Sequence, residues 1–487
     1  MPLPRSNRFS EAPPHVVIVG GGITGLSAAY RLQTEAEAQG HPISITLLEQ
    51  SGRLGGKIWT ERRDGFVVEL GPDIFLARKP RGIGLCRDLG LDHRIQETNP
   101  THRGSYIQKE GVLHRLPEGL SGLVPTRLGP VMRSPLLSTR GKLRLALDWI
   151  RPPRREEADE SVAGFITRRL GEEAYSNLVE PLLGGIYGGD GHALSLQATF
   201  PQLRAAERDY GSLLRGLLKS RAAAKPTESW TTAFVTLQGG MDELIVSLAA
   251  HLTEVDIRLS QPVLSITRLE EGYAVHTGEA APVRAEAVVI TTPAHVAAHL
   301  LASLKGSLTE ELSAIPHGST MTLSMAFRAA DVPRPLDAYG YIIPRAEGKP
   351  VLACTWSSTK IPGRAPEGMV LLRVFLGRSD TDALFQQDDD LVVTVARREV
   401  EATLGITATP LFYRLCRWRR SMPQYVLGHL ERLARIEQRQ AAHPGLFLAG
   451  ASYRGVGIPD CIEDGERAAR QTLAFLLATE AASVTEP

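Results

Sequence analysis

Cysteine is scarce in this chain: Cys86, Cys354, Cys416 and Cys461 are the only four among 487 residues. They stand apart, with no CxxC pair and no histidine at ligand spacing, which excludes a disulfide framework and a zinc site of the cysteine-histidine kind. No metal is expected, and a reducing cytoplasm suits such a composition. Charge of one sign is also lacking. The 55 Lys and Arg face 54 Asp and Glu, a formal net charge of +1, so the basic excess of a nucleic-acid binder is absent. Long apolar runs are missing too. Nothing approaches the ~18 to 20 residues of a membrane span, and Met1–Ser10 has no apolar secretory core. What the chain does have is 43% hydrophobic residues and 46 glycines, enough to bury a large core and to divide into two or three parts.

The glycines concentrate where they carry information. His15-Val-Val-Ile-Val19 runs into Gly20-Gly21-Gly22-Ile23-Thr24-Gly25 and then into an apolar helical pattern from Leu26 to Leu32. A buried strand, a glycine turn and a helix stand in the order a dinucleotide site needs. Gly20 allows the turn, Gly22 lets backbone approach a pyrophosphate, Gly25 lets the helix pack on its strand, and the helix N-terminus faces the phosphates. A second apolar strand, Ile43–Leu48, ends in Glu49, the acidic residue expected at the ribose hydroxyls. Ser51-Gly52-Arg53-Leu54-Gly55-Gly56-Lys57 follows directly. Its paired glycines, with Arg53 and Lys57, suit a second pass of backbone and positive charge along a diphosphate, and this extension points to FAD over NAD.

A matching signal lies at the far end. Gly445–Gly450 reads as a short buried strand, and Ala451–Asp460 as a glycine-rich loop opening a helix from Cys461 to Arg470, with Pro459 in its first turn. The two ends of the chain thus offer complementary halves of one site. Between them, Leu237–Ala250 reads as a glycine turn and helix, and short strands follow up to Thr291-Thr292-Pro293. Apolar runs at Thr320–Phe327, Leu352–Trp356 and Val370–Leu376 suggest a separate sheet. Residues 100 to 220 look helical after a hairpin near Ser105–His114. The stretch from Arg115 to Arg155 is one-sided, nine basic residues against Glu118 and Asp148. It reads as a solvated charged face, with an anionic membrane surface or an acidic substrate as the alternative.

Longer motifs carry a resemblance. Glu69–Lys79, Glu180–Asp190, Ala353–Trp356, Ser421–Tyr425 and Gly450–Ile462 closely resemble the bacterial porphyrinogen oxidases of the FAD amine oxidase superfamily, most of all the soluble coproporphyrinogen III oxidase type of Gram-positive bacteria. The similarity runs from Val16 to Ala469. It implies an α/β fold with a discontinuous Rossmann-like FAD-binding domain (13–75, 237–296 and 426–480), a sheet-based substrate domain (76–99 and 297–425) and a mainly helical domain (100–236) that associates with membranes in some relatives. Implied FAD contacts are Gly20, Gly21, Gly22, Ile23, Thr24 and Gly25 at the pyrophosphate, Glu49 at the ribose, Lys57, Gly71, Pro72, Asp73 and Ile74 along the cofactor, Val263 near the adenine, Trp418, and Val456, Gly457 and Ile458 near the isoalloxazine.

The implied activity is oxygen-linked, six-electron oxidation of coproporphyrinogen III to coproporphyrin III in heme biosynthesis. Protoporphyrinogen IX stays open as substrate, and an FAD amine oxidase or carotene desaturase is the more distant alternative. Amine oxidases flank their flavin with an aromatic cage, whereas aromatics are 6% of this chain and the C-terminal loop offers only Tyr453. Hydride transfer to flavin N5 asks for no side-chain nucleophile, and none is assigned. Substrate carboxylates need cations, because burying an unpaired carboxylate is costly. Lys79 is the first expectation for that role and Arg78 the second.

Overall fold

The run His15–Val19 (β1) is β-branched and uninterrupted, the pattern of a strand buried on both faces, and four of its five residues are fully buried. It is the centre of an all-parallel sheet. Ser44–Leu48 (β2) and Ala287–Ile290 (β4) flank it, with Val255–Arg258 (β3) outside β2 and Leu446–Leu448 (β5) outside β4, giving the order β3-β2-β1-β4-β5. The computed structural model from which this follows describes residues 13–118, 120, 121, 124, 125, 127–156, 158–223, 230–304, 306–377 and 383–485; the stretch Met1–Ser10 lies outside them. Helix α1 (Ile23–Ala38) packs on one face of the sheet beside the long C-terminal helix α2 (Ile458–Thr485). Helices Ala294–Leu300 and Leu308–Ser313 cover the other face. Strand order reverses about β1, so the carboxyl ends of β1, β2, β4 and β5 open one crevice, the usual ligand position in such sheets.

A second, seven-stranded sheet runs in the order Phe412–Pro423, His317–Arg328, Met369–Leu376, Val351–Trp356, Gly340–Ile342, Tyr106–Lys109, Val112–Arg115. Sequence placed the last two strands at the head of the helical region. Instead Tyr106 and Ile107 pair in parallel with Tyr341 and Ile342, so this hairpin extends the sheet. The helices between Thr139 and Ala223 enclose their own apolar core around Phe165, Ile166, Leu178 and Leu203.

That helical core also encloses charge. Arg169 and Asp148 are fully buried, and the guanidinium donates to the carboxylate at 2.5 Å. Asp148 further accepts from Ser212 Oγ at 2.6 Å and Leu214 N–H at 2.9 Å. Part of the basic segment is spent internally: Arg144 and Arg151 donate to carbonyls at the end of helix Val162–Leu170, and Arg154 pairs with Glu156 and Glu160. The solvated face expected from sequence is therefore partly a set of helix caps.

Candidate active site

The crevice is built from β1 outward. Gly20 follows β1 at φ +113°, and a side chain at Gly25 would place its Cβ on the Gly20 carbonyl oxygen and 2.8 Å from Thr291 Oγ1. No side chain caps the N-terminus of α1, whose N-cap is Gly22, so its first N–H groups face the crevice without a side-chain acceptor. Glu49, at the end of β2, is buried. Its Oε2 accepts from Gly21 N–H at 2.7 Å and its Oε1 from Ser51 N–H and Oγ at 2.8 and 2.7 Å.

The second glycine turn lies against the first. Gly22 and Gly55 form a bridge, and Gly55 N–H donates to Gly21 O at 2.8 Å. Arg53, expected along a diphosphate, is turned inward: it donates to the carbonyls of Gly56, Leu54 and Ile58 and stacks 4.2 Å from the Trp59 ring. It holds the turn's shape. Lys57 donates to Ser421 O, and burial depresses its ammonium pKa. Val263 is half-buried two residues beyond Gln261, whose N–H donates to Glu49 O at 2.9 Å.

Residues Glu69–Ile74 cross the floor between the two sheets. Any Cβ on Gly71 would collide with Lys57 O. The carbonyl of Leu70 accepts three donors, Trp418 Nε1 at 2.9 Å, Arg373 at 3.0 Å and Thr322 Oγ1 at 3.0 Å. Trp418 thus reaches this segment from the seven-stranded sheet. Asp73 pairs with Lys360 at 2.7 Å; burial pushes its carboxyl up, but Lys360 and Arg373 outweigh that and hold it below the usual range. Burial raises Glu69 to about 7 despite Arg364 at 3.4 Å and donors from Thr60 and Met241.

Sequence reasoning missed Lys360, Arg364 and Arg373. The signal was present in Arg373, a lone cation within the apolar run Val370–Leu376. A small cavity beside Glu69 and Asp73, lined also by Ser324, Ser357, Arg364 and Arg373, completes this polar layer.

The C-terminal loop closes the crevice. Helix α2 starts at Ile458, three residues earlier than its sequence suggests, so Val456 and Gly457 lie at its N-terminus. Lys79 Nζ contacts both carboxylate oxygens of Asp460, at 2.5 and 2.6 Å, and Asp460 also accepts from Gly457 N–H at 3.2 Å. The cation expected to meet substrate is here tied to the loop. Arg78 is exposed and has no side-chain ion pair among the described residues.

His317 lies behind the loop. Its Nδ1 donates to Ile315 O at 2.9 Å, so Nε2 accepts from the Ser452 hydroxyl at 3.0 Å, and Ser452 Oγ accepts from Ala294 N–H at 3.0 Å. Burial, then His295, Lys57 and Arg420, push its pKa down to about 4. A base whose folded pKa is depressed gives stability that is full above its unfolded value near 6.5 and is lost as pH falls toward 4. The loss should reach about 3 kcal/mol. Urea unfolding across this range should show a shallower pH slope for His317→Gln; parallel slopes would refute the assignment.

A doubly glycine-lined crevice at the switch point, with a carboxylate fixed by the turn's own N–H, defines a dinucleotide-binding protein. The chain matches the family described as flavin containing amine oxidoreductase over residues 23–473, and it belongs to that family. Coproporphyrinogen III oxidase of Bacillus subtilis is 34% identical over 96% of this chain and 100% of the relative, and that of Staphylococcus aureus 33% over 95% and 99%. Human protoporphyrinogen oxidase is 32% identical over 94% and 98%. A crystal structure from Exiguobacterium sp. 255-15, described as a candidate protoporphyrinogen oxidase, superposes with TM-score 0.84 at 33% identity, covering 96% and 99% of the two chains. The fold is α/β and the cofactor is FAD.

The residues present fit that cofactor. Glycines line both turns where a Cβ would fill the cradle, Glu49 offers an anchored acceptor for hydroxyls, and the open N-terminus of α1 offers donors for phosphate.

Proposed function

We propose that the protein oxidises coproporphyrinogen III to coproporphyrin III in heme biosynthesis, with dioxygen as terminal acceptor. The observation that carries this reading is the full-length relationship to coproporphyrinogen III oxidases at 33–34% identity, over a chain whose FAD crevice is complete in its glycines and in Glu49. When bound, FAD supplies a two-electron acceptor, and three rounds account for the six electrons separating porphyrinogen from porphyrin. The protein's own part is binding and orientation. Glu49 and the glycine turns would hold the nucleotide, Gly71–Ile74 and Trp418 would lie along the cofactor, and Val456–Ile458 would stand near its isoalloxazine end. No side chain is assigned as a base, and the pyrrole proton leaves to solvent or substrate.

The substrate carboxylates we assign to Arg78 first and Lys79 second, since Lys79 must release Asp460 to bind one. Purified enzyme should turn over coproporphyrinogen III faster than protoporphyrinogen IX. Arg78→Ala should lower kcat/KM for the former by roughly tenfold, ~1.4 kcal/mol, with the flavin spectrum kept. Preference for protoporphyrinogen IX would overturn the substrate, and unchanged kinetics the anchor.

We further propose peripheral contact with an anionic membrane. No helix among the described residues is long and apolar enough to cross a membrane. However, Leu143, Leu147 and Ile150 are 65, 47 and 79% exposed on the basic segment, beside Arg140 and Lys142. Flotation with phosphatidylglycerol vesicles should recover the wild type and lose Leu143→Ser/Ile150→Ser; equal recovery would exclude the patch.

A further inference from the structure

The loop Gly450–Gly457 joins β5 to α2 and carries residues assigned above to the flavin's ring end; α2 holds its start, where Gly450 N–H donates to Asp464 at 2.8 Å, but Ala451, Tyr453 and Gly455 are held from outside the FAD sheet. Tyr425 follows the edge strand Phe412–Pro423 and is 2% exposed. Its hydroxyl donates to Ala451 O at 2.6 Å and accepts from Gly455 N–H at 2.8 Å, so one oxygen ties together two points of the loop four residues apart. Its ring stacks on His429, with centroids 4.1 Å apart and planes 15° apart. His429 is also buried, and its Nε2 lies 3.0 Å from Tyr453 O. A carbonyl only accepts, so Nε2 carries the proton. Burial favours the neutral ring, against the pull of that carbonyl; the facing charge is Arg432. Residues 451, 453 and 455 are thereby each held by a two-ring unit.

The same segment is fastened on its far side to the helical region. Tyr425 O accepts from Ser195 N–H at 2.8 Å, Gln424 Nε2 donates to Tyr187 O at 2.7 Å, and Leu427 N–H donates to Ala193 O at 2.9 Å. Tyr187 also lies against Tyr425, ring centroids 6.2 Å apart. Two motifs that sequence singled out, Glu180–Asp190 and Ser421–Tyr425, therefore meet at the back of the third, Gly450–Ile462.

We propose that Tyr425 and His429 are positioning residues for the flavin: they set Ala451–Gly455, and through it Val456–Ile458, and link the loop's position to the segment Tyr187–Leu196, which connects two helices of the helical region. This rests on the FAD reading of the crevice. Neither side chain is required to touch the cofactor. The effect on the flavin is indirect, through the N-terminus of α2, where a displaced loop changes the field that the ring feels.

The test uses the FAD-loaded full-length protein. Tyr425→Phe keeps the ring and its stack but removes both hydroxyl bonds. FAD dissociation, followed by the rise of flavin fluorescence on dilution, should quicken roughly tenfold, and the visible flavin band should shift in the absence of substrate. His429→Ala should do the same, and His429→Gln, whose amide can donate to the Tyr453 carbonyl, should largely restore both readouts. This second pair keeps the question answerable if Tyr425→Phe does not fold. A purely structural role predicts a lower melting temperature with an unmoved band and unchanged FAD release, and that result overturns the proposal. Wild-type protein that takes up no FAD would instead overturn the flavin reading itself.

Discussion

Gly25→Ala is expected to yield protein that is colourless on purification and destabilised by at least ~3 kcal/mol. The new Cβ would land on the Gly20 carbonyl oxygen, with Thr291 Oγ1 closing the other side at 2.8 Å. Neither neighbour is the end of a flexible chain. Thr291 is itself fixed, its hydroxyl donating to Val19 O and Gly20 O at 3.0 Å each. Relief therefore requires α1 to move off the sheet, which removes the N-terminus aimed at the pyrophosphate. Gly129→Ala, where an added Cβ meets nothing within 4 Å, is the control and should be near neutral. Flavin absorbance per protein and urea unfolding measure both; a yellow Gly25→Ala protein of normal stability would contradict the described turn.

How far this could be read from the chain alone differs between its parts. The glycine turn, the acidic end of β2 and the C-terminal loop were legible because each follows from local rules: strand period, turn residues and helix starts within about ten residues of one another. The hairpin Tyr106–Arg115 was legible as a hairpin. Its sheet was not, because its partner Gly340–Ile342 is more than 200 residues away and the short strands show no strong alternation. Arg53 and Lys79 show a different limit. Sequence identified both as cations near an anion, but it could not show that carbonyls of the turn satisfy Arg53 or that Asp460 satisfies Lys79. The buried layer of Glu69, Asp73, Lys360, Arg364 and Arg373 was invisible for a similar reason: its carboxylates and its cations come from two stretches far apart in the chain, and only folding makes each a partner for the others.

The second large effect lies far from the flavin. Asp148→Ala should cost about 3 to 5 kcal/mol, since it strands a fully buried guanidinium. Arg169 would keep Glu207 at 3.4 Å and the carbonyls of Arg151, Pro152 and Gly211, which soften the loss without replacing a 2.5 Å charged contact. Ser212 and Leu214 would lose their acceptor as well. The exposed partner of Arg154 gives the contrast: Glu156→Ala should leave stability nearly unchanged. Chemical denaturation of the two variants decides this, and similar values for both would mean that the buried pair is solvated in solution.

The parallel sheet has one further consequence, for how the protein is made. Its central strand β1 is made some 270 residues ahead of its neighbour β4, and α2, which lies along α1, is made later still. Until β4 is made, β1 has β2 beside it and an open edge on its other flank, a state that favours pairing with the wrong chain. The loop assigned to the ring end of the cofactor follows β5, so the crevice is complete only when segments from both sides of this long separation have met.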